Sequence, residues 1–264
     1  VMYFVGIALI LLGALLIKQI TGMKYRKSFF IMELPEYKVP SVVFACKSML
    51  ERGKAYIIKA GTIILVCNMV VQIMATFTPG FVVAAEDSSD SILAMIASPV
   101  AVLLIPVVGF ASWQLAAAAI TGFIAKENVV GTLATVFCIT NFIDTDELAL
   151  VSGGSEVAAI MGLTKVAALA YLMFNLFTPP CFAALGAMNS EMKSGKWLAG
   201  AIGFQLATGY VIGFVVYQAG TLITTGSLGA GFIGGLIAVL IIAAFITYLC
   251  IHANKKLKAE YALD

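Results

Sequence analysis

Charge is what this sequence has least of. Only 11% of its 264 residues are Asp, Glu, Lys or Arg, against 61% hydrophobic, whereas a soluble domain carries about 25% charged residues. So little polar surface cannot cover a chain of this length in water. Histidine is nearly missing too: His252, close to the C-terminus, is the single one, which argues against a His-rich metal site. The five cysteines, Cys46, Cys67, Cys138, Cys181 and Cys250, form no C-x-x-C pair, so neither a zinc knuckle nor a disulfide framework is indicated. There is no phosphate-binding G-x-x-x-x-G-K-[ST] loop, no H-E-x-x-H and no G-x-S-x-G. Nucleotide hydrolysis through a P-loop, zinc-protease chemistry and serine-hydrolase chemistry are therefore not expected, and the chain reads as a transporter rather than an enzyme. No basic stripe interleaves with aromatics, so nucleic acid is not an expected partner. Val1 leads straight into an apolar run without a basic n-region or a small-residue cleavage site, unlike a signal peptide. The chain reads as a piece of something longer.

What is present is a series of apolar runs of the length that crosses a bilayer. They cover 1–16, 60–77, 92–110, 113–140, 157–178, 198–217 and 229–251. Between the first two lies a basic stretch, 18–59, in which Pro35 and Pro40 break any long helix. Residues 41–54 alternate apolar and charged positions at helical spacing, the pattern of an amphipathic helix on a membrane surface. Basic loops fall at 18–59, 193–196 and 255–258, and acidic loops without bases at 79–91 and 141–156. Seven crossings put every basic loop on one side and both acidic loops on the other, as the positive-inside rule requires. The expected fold is all-α: a polytopic transmembrane helical bundle of about seven spans with a cytoplasmic C-terminus. Pro99, Pro106, Pro179 and Pro180 also permit broken or re-entrant helices in the third and fifth runs.

Two places within these runs could carry chemistry. Lys126-Glu127-Asn128 interrupts the fourth run. On a continuous helix from Trp113, Glu127 would lie about 21 Å along the axis, deep in a core about 30 Å thick. Charges at that depth mark a pathway unless they neutralise one another. Glu127 is the candidate pathway residue, and Lys126 its counter-charge or a snorkelling residue. A self-neutralising pair that only fixes packing, or a pair at the interface, is the plainer reading.

The second place is Thr178-Pro179-Pro180-Cys181. Two prolines remove two backbone donors and leave carbonyls free one turn earlier. Those carbonyls, the Cys181 thiol, Asn175 and Thr178 make a cation stop at a helix break. A soft thiolate suits Fe(II), Zn or Cu(I) better than Mg or Ca. A helix-ending turn with a buried, inert cysteine fits the same residues equally well. Gln114, Gln205 and Gln218 could bridge helices or line a path, and the Gly and Ala content of the last two runs, such as Gly229, Gly231, Gly234 and Gly235, suits close helix packing.

Several motifs occur together and in order: Met32-Glu33-Leu34-Pro35-Glu36-Tyr37, Lys59-Ala60-Gly61-Thr62-Ile63, Ile120 to Glu127 with Val129 to Leu133, and Pro180-Cys181 with Ala184, Glu191 and Gly195-Lys196-Trp197. Over residues 1 to about 220 the chain closely resembles the C-terminal membrane domain of the ferrous iron transport protein B family. The resemblance implies Fe(II) import across the bacterial cytoplasmic membrane, multi-pass, with Fe(II) as the transported ion and no permanently bound cofactor. It makes Cys181 the cysteine of the second gate, and Cys181 and Glu127 the metal-contacting residues, with Asn175 and Thr178 beside the path. It also implies a cytoplasmic GTPase domain and a first gate, both absent from these residues. The implied partners are the lipid bilayer, that GTPase domain, a small accessory protein of the iron system and a second copy of the chain. The expected organisation is a transmembrane helix over 1–20, a cytoplasmic or interfacial amphipathic segment over 21–58, a gate-type transmembrane domain over 59–220, and a last transmembrane helix with a basic tail over 221–264. The alternatives are a gate-containing transporter of another divalent metal or of a nucleoside-like solute, and a purely structural membrane subunit. A membrane-embedded enzyme would need a nucleophile–base pair or a metal triad, and the sequence offers neither.

Overall fold

A computed structural model describes residues 2–21, 41–80, 82–83, 89–124, 126, 128–137 and 161–261. These residues are helical apart from turns and one isolated bridge between Phe77 and Val83. In chain order the described helices are α1 (Met2–Thr21), α2 (Val42–Thr76), α3 (Ile92–Val108), α4 (Trp113–Ile124), α5 (Asn128–Val136), α6 (Lys165–Phe177), α7 (Phe182–Met192), α8 (Gly195–Thr225) and α9 (Phe232–Tyr261).

The chain divides into two units, Val1–Met49 with Leu236–Asp264, and Leu50–Gly235. In the first, α1 and the body of α9 present apolar side chains outward. Tyr3, Phe4, Ile10, Ile241 and Phe245 are all largely exposed, as helices that meet lipid must be. Three described helices are long and apolar enough to cross a membrane: Met2–Ile20, Gly195–Thr225 and Phe232–His252, or up to four if the bent pair α3–α4 is one span. The 20 residues of α1 rise about 30 Å, one hydrocarbon thickness. The 13 residues of α6 rise only about 20 Å.

The second unit has its own core. Leu93, Ala97, Ala101 and Leu104 recur at helical spacing along α3 and pack with Ala116 and Ala117 of α4. Val71, Met74 and Ala75 of α2 close over this patch. Small residues dominate because close helix approach, rather than water exclusion, holds helices together in lipid. α3 begins at Ser91, whose Oγ accepts from Ala94 N at 3.1 Å, and ends at Gly109 with φ 97°. A side chain at Gly109 would collide with the Tyr217 hydroxyl. Beyond it the chain turns by 99° into α4, and Ser112 Oγ accepts from Leu115 N. Runs three and four thus begin as a bent pair rather than two straight spans.

Further departures from the straight-span reading concern helix continuity. The amphipathic stretch and the second apolar run form one helix, α2, of 35 residues. The described part of the fourth run is two helices, α4 and α5, with Lys126 between them, rather than one helix from Trp113. The fifth run contributes α6, which ends at Phe177, while the Pro-Pro-Cys sequence starts a separate helix, α7.

Candidate functional site

The site lies where two broken helices meet. One break separates α4 from α5 and contains Lys126; the other separates α6 from α7 and contains Thr178 to Cys181. Pro179 and Pro180 cause the second. A helix would pair Asn175 O with the N–H of residue 179 and Leu176 O with that of residue 180, and neither proline has one. α6 closes instead with Thr178 N donating to Phe174 O at 3.1 Å, and Pro179 is fully buried.

The orphaned carbonyls are taken by a side chain from about fifty residues earlier. Lys126 Nζ donates to Asn175 O at 2.9 Å, Leu176 O at 2.8 Å and Thr178 O at 3.0 Å. An ammonium has three donors, and all three are used. Lys126 is therefore not snorkelling towards water. The carbonyl cradle has the geometry of a cation site, with an ammonium as its cation.

Neighbouring contacts hold the two breaks together. Thr178 Oγ1 donates to Asn175 O at 2.8 Å, and Asn175 Nδ2 to Tyr171 O at 2.9 Å. The Tyr171 hydroxyl donates across to Leu115 O of α4 at 2.7 Å. Thr121 and Thr132 share a 2.8 Å hydroxyl contact that ties α4 to α5. Phe123, at the end of α4, meets Phe182, the first residue of α7, edge to face at 5.5 Å. Behind the break runs α8. A Cβ on Gly209 would come within 3.0 Å of Phe174 O and 3.1 Å of Thr178 N, and one on Gly213 within 2.8 Å of Val107. This Gly-x-x-x-Gly stripe lets α8 press onto the backbone of α6.

Cys181 occupies the N-cap of α7 without making a side-chain capping bond. It is half-buried and lies within electrostatic reach of the Lys126 ammonium. The structure thus gathers Cys181, Asn175 and Thr178 at one break. Glu127, Cys138 and the acidic loop at 141–156 lie outside the described residues. Among the described residues no three His, Cys, Asp or Glu side chains converge. Of the glutamines, Gln218 bridges helices, donating to Pro106 O at 3.3 Å and accepting from Gly229 N at 2.9 Å. Gln114 pairs with Ser112 at 2.9 Å. Gln205 Oε1 is buried without a hydrogen-bond partner among the described residues. It lies one helical turn before Gly209, on the same face of α8.

On the other side of Lys126, Asn128 Nδ2 donates to Asn68 Oδ1 of α2. These two amides, with Gln72 and Thr132, line a cavity of about 250 Å³ whose remaining wall is apolar, including Leu93 and Val136. Sequence reasoning missed this cavity and the Lys126 cradle, since neither partner set is close in sequence.

Comparison with known proteins places this geometry. The family described as "Ferrous iron transport protein B C terminus" matches residues 1–52, and the gate family described as "Nucleoside recognition" matches residues 57–195. The Fe(2+) transporter FeoB of Staphylococcus aureus (strain COL) is 31% identical over 223 residues, covering 84% of this chain and 31% of that protein. The Fe(2+) transporter FeoB of Methanocaldococcus jannaschii is 28% identical, covering 84% and 32%, and that of Salmonella typhi 27% identical, covering 82% and 33%. The chain spans about a third of the length of these relatives. No solved structure matches it. The gate match takes in both helix breaks and the C-terminus match precedes it directly, so the chain belongs to the C-terminal, gate-containing membrane region of the ferrous iron transport protein B family.

Proposed function

We propose that the chain is the ion-passing membrane part of a ferrous iron importer in the bacterial cytoplasmic membrane, coupled in the full-length protein to a GTPase domain. The observation that carries the reading is the α6–α7 break. Pro179 and Pro180 leave backbone oxygens without N–H donors at the break that also holds the half-buried Cys181, so a soft thiol and several hard oxygens lie at one helix break. Fe(II) is intermediate in character and uses both. Such a site is incomplete, which suits a path: a closed tetrahedral site would hold the ion rather than pass it. Cys181 and Glu127 are the proposed metal contacts, with Asn175 and Thr178 supplying oxygens. The proposed topology is seven crossings, with the C-terminus in the cytoplasm. A small accessory protein and a second copy of the chain are the proposed further partners.

The test is Cys181→Ser in the full-length importer. Fe(II) uptake should fall at least about tenfold, the scale on which metal-site changes act, with expression and membrane insertion unchanged. Cys67→Ser, on α2, should leave uptake near the parental rate. Uptake unchanged by Cys181→Ser would move the path elsewhere.

A second reading has its own observation. The amide-lined cavity at Asn68, Gln72, Asn128 and Thr132 offers the paired donors and acceptors that a nucleobase edge needs. A nucleoside-like solute would then bind there, and Asn128→Leu would abolish nucleoside binding while leaving Fe(II) uptake intact.

A further inference from the structure

We infer that Lys126 is a tethered competitor of the permeating ion: its ammonium fills the carbonyl cradle of the α6–α7 break, and the cradle takes either that ammonium or a free cation, never both. The inference rests on the iron-path reading for the identity of the free cation, but not for the existence of the site.

Three observations carry it. The oxygens of Asn175, Leu176 and Thr178 converge on Nζ at 2.8 to 3.0 Å, and two of them lack a helical N–H donor because residues 179 and 180 are prolines. A group of carbonyls without N–H donors, set among packed helices, has a cation as its natural partner. Next, Lys126 springs from the short gap between Ile124 and Asn128 rather than from a helix interior. Its flexible four-carbon stem can withdraw without unwinding α4 or α5. Last, the framework around the cradle does not depend on the ammonium. Thr178 Oγ1 to Asn175 O, Tyr171 to Leu115 O, and the Phe123–Phe182 contact are all made without Lys126. The oxygens then stay in place for an incoming ion. Two cations a few ångströms apart at this half-buried point repel too strongly to share it. An arriving divalent ion therefore displaces the ammonium, and the returning ammonium helps to expel the ion.

The experiment uses the whole chain in lipid nanodiscs under anaerobic conditions. Lys126→Ala should unfold at lower temperature than the parent. Millimolar propylammonium should recover more than half of the loss, and the neutral isostere propanol should recover none. Equal rescue by both, or rescue by neither, overturns the cradle as a cation site. Fe(II) binding by equilibrium dialysis should then be at least tenfold tighter in Lys126→Ala than in the parent. If Fe(II) binds both equally, mutual exclusion is wrong while the iron path stands. If ammonium rescue holds but Fe(II) binds neither, the cradle stands and the iron reading falls. Should Lys126→Ala fail to fold, the parent alone decides. Adding Fe(II), or thallous ion as a monovalent probe, should raise amine labelling of Lys126 at least threefold by mass spectrometry. Labelling unchanged by both ions overturns the inference.

Discussion

Gln205 is the residue whose chemistry is least explained by packing. A buried amide oxygen without a hydrogen bond costs about 1–3 kcal/mol, and Gln205 Oε1, with no partner among the described residues, carries that cost one turn from Gly209. Replacing it with the similarly shaped leucine should remove the cost and raise the thermal midpoint by a few degrees. If the oxygen serves the ion during passage, the same change should lower Fe(II) uptake several-fold. Opposite signs for stability and transport are the expected outcome, measured by thermal unfolding in detergent and by uptake in cells. A loss of both would make Gln205 a packing residue. Cys181 and Gln205 differ in how visible they are from sequence. The Pro-Pro doublet announces Cys181, because a missing N–H is a property of the residue itself. An orphaned oxygen is a property of its surroundings and leaves no mark in the pattern.

Between elements, the decisive contact is α8 on α6. A Cβ at Gly209 would meet backbone atoms of Phe174 and Thr178, which cannot rotate aside. Gly209→Ala should therefore shift the break, destabilise the chain by about 1–3 kcal/mol as overpacking does, and weaken Fe(II) binding. Gly203, on the same helix, has open space where its Cβ would stand. Gly203→Ala should be neutral or stabilising by up to about 1 kcal/mol through helix propensity. Thermal unfolding of the pair, with Fe(II) dialysis, checks this; equal effects would deny Gly209 any special position. The same comparison explains what was legible beforehand. α1, α8 and α9 follow from long apolar runs, and the end of α6 from its prolines. The α4–α5 break was partly hidden, because Lys126-Glu127-Asn128 reads as charges on a helix as easily as a gap between two. The glycines of the last run divide in the same way: Gly231 and Gly235 pack on Ile105, Pro106 and Phe214, whereas Gly234 faces open space. Composition marks all three alike.

Across the whole molecule, the distribution of charge carries the topology. On the topology proposed above, positive-inside asymmetry would put 18–59, 189–196 and the C-terminus in the cytoplasm, and 79–91 and 141–156 outside. A single cysteine at position 87, in a background with the five native cysteines replaced, should react with an impermeant maleimide from the outside only. One at position 193 should react only after the membrane is opened. Reaction at position 87 from the cytoplasmic side alone would invert the scheme.

The bond from Lys126 to Thr178 joins residues 52 positions apart, and this sets a schedule for biogenesis. A lysine resists entering lipid without its acceptors, and those acceptors are made later. At about 5–20 residues per second, the ribosome leaves roughly 3–10 seconds between the two. During that interval the segment with Lys126 has reason to wait at the insertion channel or the interface. It would enter the bilayer together with the prolines, so the two broken helices would be inserted as one unit.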